Sequence, residues 1–287
     1  LDELNLDADP QQALAGSLAA YRSGNLPEAL IQYPAGREPQ TDAEKVYRAA
    51  LVLAVGRVEE ANAMLEKVRG QKTEGGGQKT EGGGRRTEDG NQKSEQRSAA
   101  STLAERLAGA QLKLIDAVKM RALSSNLDSY PSTASEWLAE SYYRQSQATR
   151  TNALPGALDA AKRATDISTN FGFAWVRVAE LEFSFGRTTR AKQALAKALE
   201  LSPRNGQAVA LQGFLLAAEN KIGAALARFD HAIVTDSALG NAWLGRGLCR
   251  IRQGKVLEGR RDIQMAATLE PQRAFLRSYL GKAFSVA

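Results

Sequence analysis

Between residues 171 and 272 the chain repeats itself with a 34-residue period: FGFAWVRVAELEFSFGRTTRAKQALAKALELSPR, NGQAVALQGFLLAAENKIGAALARFDHAIVTDSA and LGNAWLGRGLCRIRQGKVLEGRRDIQMAATLEPQ. A unit this short cannot bury an apolar face alone, so copies must stack and the core must run through the stack. Aligned, the blocks place Trp175, Val209 and Trp243 in one column, Ala191, Ala225 and Gly259 in a second, and Leu195, Phe229 and Ile263 in a third. Ala198, Ala232 and Ala266 follow, then Pro203, Ser237 and Pro271. The small columns let two antiparallel helices approach closely, and the large residue between them fills the groove they leave. Gly186 and Gly254 stand where the first helix must stop, and Pro203 and Pro271 where the second ends.

This spacing resembles the tetratricopeptide pattern W-x2-L-G-x2-Y, A-x3-F, P. The resemblance implies an all-α fold, a right-handed α-solenoid of antiparallel helix pairs. It also implies a non-enzymatic scaffold that holds a protein or peptide partner in a concave groove.

A length of 287 residues suits two ordinary domains or one elongated solenoid, and the period selects the solenoid. The single cysteine excludes an intramolecular disulfide framework, and the single histidine excludes a His-cluster metal site. Cys249 reads as a small buried residue and His231 as a surface or half-buried structural one. No apolar run reaches the roughly 18 residues of a membrane span. The chain opens without Met or a leader pattern, which reads as part of a longer protein with neighbouring domains.

Residues 1–69 read as two divergent repeats. In the first, Gly24 and Asn25 make the turn, Pro27 starts the second helix, and Ala29 and Tyr33 fill the small and large columns. In the second, Asp42 is the expected N-cap, Gly56 the turn, and Ala61, Leu65 and Val68 the core set. Residues 71–98 are four seven-residue units almost without apolar atoms, QKTEGGG, QKTEGGG, RRTEDGN and QKSEQRS. They read as a disordered insert over 70–98, either an expanded surface loop or a charged tether for a partner. The array spans 99–287: a long amphipathic helix over 99–123, with Leu103, Leu107, Leu112, Ile115 and Val118 on one face, then repeats near 132–170, 171–204, 205–238 and 239–272. The residues QATRTN delay the partner helix of the 132–170 repeat, and 273–287 match only a first helix.

The usual catalytic constellations are absent: there is no H-E-x-x-H, G-x-S-x-G or C-x-x-C. Gly240, Gly245, Gly247 and Gly254 with Lys255 superficially resemble a phosphate loop. However, Cys249 stands five residues before Gly254 and no Ser or Thr follows Lys255, so the glycines read as packing and turn positions. No cofactor is expected. Arg246 and Arg250 occupy columns that usually hold Leu and an aromatic, and a buried arginine needs partners. With Arg252, Lys255, Arg260 and Arg261 they make the 239–272 repeat strongly basic, but without aromatic interleaving, which weighs against nucleic acid.

By resemblance, the groove is lined by the first helices, at Glu136, Glu140, Tyr143 and Arg144; Phe173, Val176, Glu180 and Phe183; Phe214 and Ala217; and Asn241, Leu244, Leu248, Ile251 and Arg252. The implied groove is apolar with an acidic entrance. It lacks the Lys and Asn of the carboxylate clamp found in chaperone-binding members. These residues read equally as packing against a neighbouring domain. The stretches AWVRVAELEFSFGR, GNAWLGRGLCRIRQG and LEPQRAFLRSYLGKAFS resemble the repeat region of large bacterial proteins that carry a FecR-type sensor domain. That resemblance implies a bacterial cell-envelope location, with the cytoplasm as the alternative, and a role as spacer or docking platform.

Overall fold

The computed structural model describes residues 2–6, 13–70, 102–119, 130–147, 153–271 and 273–285. The described residues form fourteen α-helices and a short 3-10 turn at Asp2–Leu4, with no strand among them. The helices are α1 (Ala15–Arg22), α2 (Leu26–Ile31), α3 (Asp42–Ala54), α4 (Val58–Gly70), α5 (Leu103–Val118), α6 (Ala134–Ser146) and α7 (Ala153–Ile167). They continue with α8 (Gly172–Ser184), α9 (Thr188–Leu201), α10 (Gly206–Ala218), α11 (Ile222–Thr235), α12 (Gly240–Arg252), α13 (Val256–Leu269) and α14 (Ala274–Ser285). Each even-numbered helix from α6 to α12 packs on the helix that follows it, and each pair packs on the next, which makes an α-solenoid of antiparallel helix pairs. The expected insert at 70–98 lies outside the described residues apart from Gly70, as do the ends of the 99–123 helix and most of the QATRTN insertion.

One local device turns the chain in five pairs. Gly24, Gly56, Gly186, Asn220 and Gly254 all have positive φ, between 62° and 91°. In each case the next residue's N–H reaches back to the carbonyl five positions before, as in Arg187 N to Glu182 O (2.9 Å) and Lys221 N to Leu216 O (2.9 Å). This satisfies carbonyls that the helix end leaves without partners. Asn220 does so without being glycine, because asparagine tolerates the left-handed region better than most residues.

The interlock between pairs is steric. Phe229 of α11 is fully buried and wedges between Gly213 of α10 and Gly245 of α12. A Cβ at those glycines would lie 2.8 and 2.2 Å from the ring. Gly247 and Gly259 bring the backbones of α12 and α13 into direct contact, since a Cβ on either would meet the other's carbonyl oxygen within 2.7 Å.

Two sequence expectations are corrected near the N-terminus. The cap of α3 is Thr41, not Asp42: Thr41 is extended (φ −125°, ψ 160°) and accepts from Glu44 N, while Asp42 is already helical and pairs with Lys45. Tyr33 is buried but lies beyond the end of the six-residue α2, where its hydroxyl donates to Glu44 Oε1 (2.6 Å).

The array also closes on itself. Ser202 Oγ donates to Arg22 O (3.0 Å) and Arg204 N to Ser23 O (2.8 Å), so the α1–α2 turn sits on the α9–α10 turn. Gly24 lies so close that a Cβ there would come within 2.9 Å of the Asn205 backbone. Tyr21 stacks on Phe173 of α8 (centroids 5.2 Å, 29°). Both Glu3 oxygens bind Ser135, accepting from its N (3.0 Å) and its Oγ (2.7 Å). A carboxylate is well placed there, at the positive N-terminal end of α6. A solenoid without this contact would leave the first-helix face open along its length; here the protein itself covers that face around Phe173 and beside the α9–α10 turn.

Candidate partner-binding groove

The expected groove residues divide into two groups. Glu136, Glu140, Tyr143 and Arg144 are drawn into the interface of α6 with α5 and α7. Glu136 is 6% exposed. It receives a two-pronged guanidinium from Arg106 and the backbone N–H groups of Ser132 (3.1 Å) and Thr133 (2.9 Å). Glu140 accepts from Lys113 (2.9 Å) and Arg144 (2.7 Å), and the Lys113 ammonium stands 3.8 Å from the centre of the Tyr143 ring. Val176 is buried beneath the closure, beside a cleft of about 140 Å³ lined also by Leu26, Pro27, Tyr142, Phe173 and Gln207. Glu180 accepts from Gln207 (2.7 Å) and Arg177 (3.2 Å). The acidic entrance is therefore neutralised from within.

The remaining residues belong to the C-terminal half. Phe183 is half-buried against the α8–α9 core. Phe214 is half-buried and meets Phe229 edge to face at 4.9 Å. Leu244 is buried, Leu248 and Ile251 are half-buried on the cluster around Ile263, and Arg252 is exposed at the end of α12. Sequence reasoning passed over Phe275 of α14, which is 40% exposed. The 34-residue period that puts the expected Phe173 and Asn241 in one column with Gln207 puts Phe275 there as well, and the Gln207–Glu180 bond shows that this column reaches the neighbouring first helix.

Arg246 and Arg250 find their partners at Asp262. Arg246 donates to both of its oxygens (3.0 and 2.8 Å) and Arg250 to one (2.8 Å). Glu182 is held the same way by Lys162 (3.0 Å) and Arg187 (3.2 Å). Burial alone would raise the carboxyls of Glu136, Glu140 and Glu182, but the bonds from Arg106, from Arg144 and Lys113, and from Lys162 and Arg187 outweigh it and hold all three below their ordinary 4.5. A carboxyl depressed on folding contributes stability that is complete above the unfolded value and lost as pH falls through the folded one. Urea midpoints should therefore be level from about pH 7 to about pH 5 and fall steeply toward about pH 3. A midpoint unchanged at the acid end would mean these pairs add nothing.

Cys249 is buried, and burial pushes its thiol up, away from the reactive thiolate. Among the described residues no group of three or more His, Cys, Asp or Glu could hold a metal ion, and no helix is long and apolar enough to cross a membrane.

No protein-family model and no curated protein matches the chain. Among solved structures it is similar to MamA from Desulfovibrio magneticus RS-1, at 19% identity over 54% of this chain and 85% of that one, with a TM-score of 0.39. It is similar to YrrB, described as a TPR protein with an unusual peptide-binding site, at 14% identity over 84% and 92%, with a TM-score of 0.37. It is also similar to TTC0263, a thermophilic TPR protein of Thermus thermophilus, at 12% identity over 86% and 100%, with a TM-score of 0.46.

Proposed function

We propose that this chain is a non-enzymatic scaffold that holds an apolar segment of a partner protein along the first helices of its C-terminal half. The observation that carries this reading is the row Phe183, Phe214, Leu248 and Ile251, half-buried large apolar residues recurring on α8, α10 and α12, with Phe275 extending it onto α14. Side chains at helical or extended spacing in a partner would bury this row against their own apolar atoms. Around Phe173 and the α9–α10 turn the same face meets Tyr21 and the α1–α2 turn, so the partner surface is shorter than the array. A double substitution, Phe214→Glu with Leu248→Glu, should lower affinity for peptides selected on the wild-type protein by at least about tenfold, because two charges would have to be desolvated against apolar groups. Circular dichroism would confirm that the helices persist. Unchanged affinity would sink the reading.

A second reading is a spacer or docking platform within a larger bacterial protein of the FecR-type, cell-envelope kind. It is supported by α14, whose Phe275, Tyr279 and Phe284 are exposed.

A further inference from the structure

The 49 residues from Leu239 to the end hold nine Lys and Arg against three Asp and Glu, so this segment alone carries +6, equal to the net charge of the whole chain. All three acids are engaged: Asp262 by Arg246 and Arg250, Glu270 by Arg273, and Glu258 at 3.8 Å from Arg250. Arg252, Lys255 and Lys282 are left without an acidic partner among the described residues. Arg260 Nε donates to Ala283 O (2.7 Å), which ties the start of α13 to the end of α14. The α12–α13 turn, with Arg252 and Lys255, thus lies at the same end of the array as the last turn of α14, which carries Lys282 and the exposed Phe284. The 239–272 repeat has a single aromatic residue, Trp243, and the next helix adds three that reach the surface, for Phe275, Tyr279 and Phe284 are 40, 38 and 55% exposed.

We infer that this end of the groove takes an acidic, apolar protein segment, with Asp or Glu set beside Leu or Phe. The inference rests on the groove reading above and specifies the partner's chemistry. An acidic segment would neutralise cations that have no acidic partner among the described residues, and its apolar residues would continue onto Leu248 and Ile251. Nucleic acid fits less well: cations already stand 4.5, 5.6 and 5.2 Å from the centres of the Phe275, Tyr279 and Phe284 rings, and Phe275 meets Tyr279 edge to face. That arrangement leaves no row of open ring faces for successive bases. A flat anionic membrane would reach the aromatic tips but not the half-buried aliphatic row.

The test is selection of a random displayed 16-residue peptide library on the intact protein, followed by titration of a selected peptide. The comparison ligands are a mixed-sequence single-stranded oligonucleotide and phosphatidylserine vesicles. Peptides rich in Asp or Glu with Leu or Phe are expected. Their binding should weaken at least tenfold in the Arg252→Glu, Lys255→Glu, Lys282→Glu variant and weaken with added salt. All three positions are polar and away from the core, and circular dichroism would confirm that the helices remain. Selection of neutral or basic peptides that respond to the Phe214→Glu, Leu248→Glu variant but not to the charge reversal would overturn the acidic partner while leaving the groove standing. Selection of nothing, or tighter binding of the oligonucleotide or the vesicles, would overturn it as well.

Discussion

Truncating Phe229 to alanine should cost about 3–5 kcal/mol, as expected for removing a fully buried aromatic ring from a packed site. The more telling measurement is its coupling to Gly245. Alanine in place of glycine inside a helix ordinarily stabilises by roughly 0.5–1 kcal/mol. At position 245 the new Cβ would stand 2.2 Å from the ring, so the ring or the helix must shift, and overpacking of that kind costs about 1–3 kcal/mol. Gly245→Ala should therefore destabilise the wild-type chain yet stabilise the Phe229→Ala chain. Such a change of sign is the mark of residues sharing one space. Urea unfolding of the four proteins decides it, and additive effects would show that Phe229 is not the wedge between α10 and α12.

The second large effect is expected at Asp262. This carboxylate is 4% exposed and receives three hydrogen bonds from Arg246 and Arg250. Taking two charges out of water is costly, and only their mutual bonds offset that cost. Asp262→Ala would leave the Arg246 guanidinium, whose side chain is 14% exposed, with the exposed Asp230 alone. A loss of about 3–5 kcal/mol should follow. Asp230→Ala should cost no more than about 1 kcal/mol, because that carboxylate is largely in water. Adding Arg246→Leu to Asp262→Ala should recover much of the loss by removing the unpaired charge. If the double variant is as unstable as the single one, the damage comes from packing rather than from charge.

Much of this molecule is legible in its columns. The small and large residues at fixed offsets identify helix pairs, and Ala191, Ala225, Leu195, Phe229 and Ile263 are all buried as that pattern requires. One column went unread. Gly172, Gly206 and Gly240 open three successive first helices, and a Cβ on Gly172 or Gly240 would strike the C-cap of the second helix that follows it, Ser202 after α9 or Glu270 after α13. The groove was less legible, because residues at groove positions also face whatever the neighbouring elements bring. Glu136 and Glu140 read as an entrance until α5, a helix outside the period, supplies Arg106 and Lys113.

By itself, then, the sequence determined the helix pairs, their turns and their core, since these depend on spacings within one unit and on steric rules acting over a few residues. Only the tertiary structure decided how much of the first-helix face is open. That depends on Tyr21 meeting Phe173, and Arg22 and Ser23 meeting Ser202 and Arg204, more than half the chain away. The path of a solenoid accumulates from small rotations at every interface, and no local spacing encodes where its ends will meet.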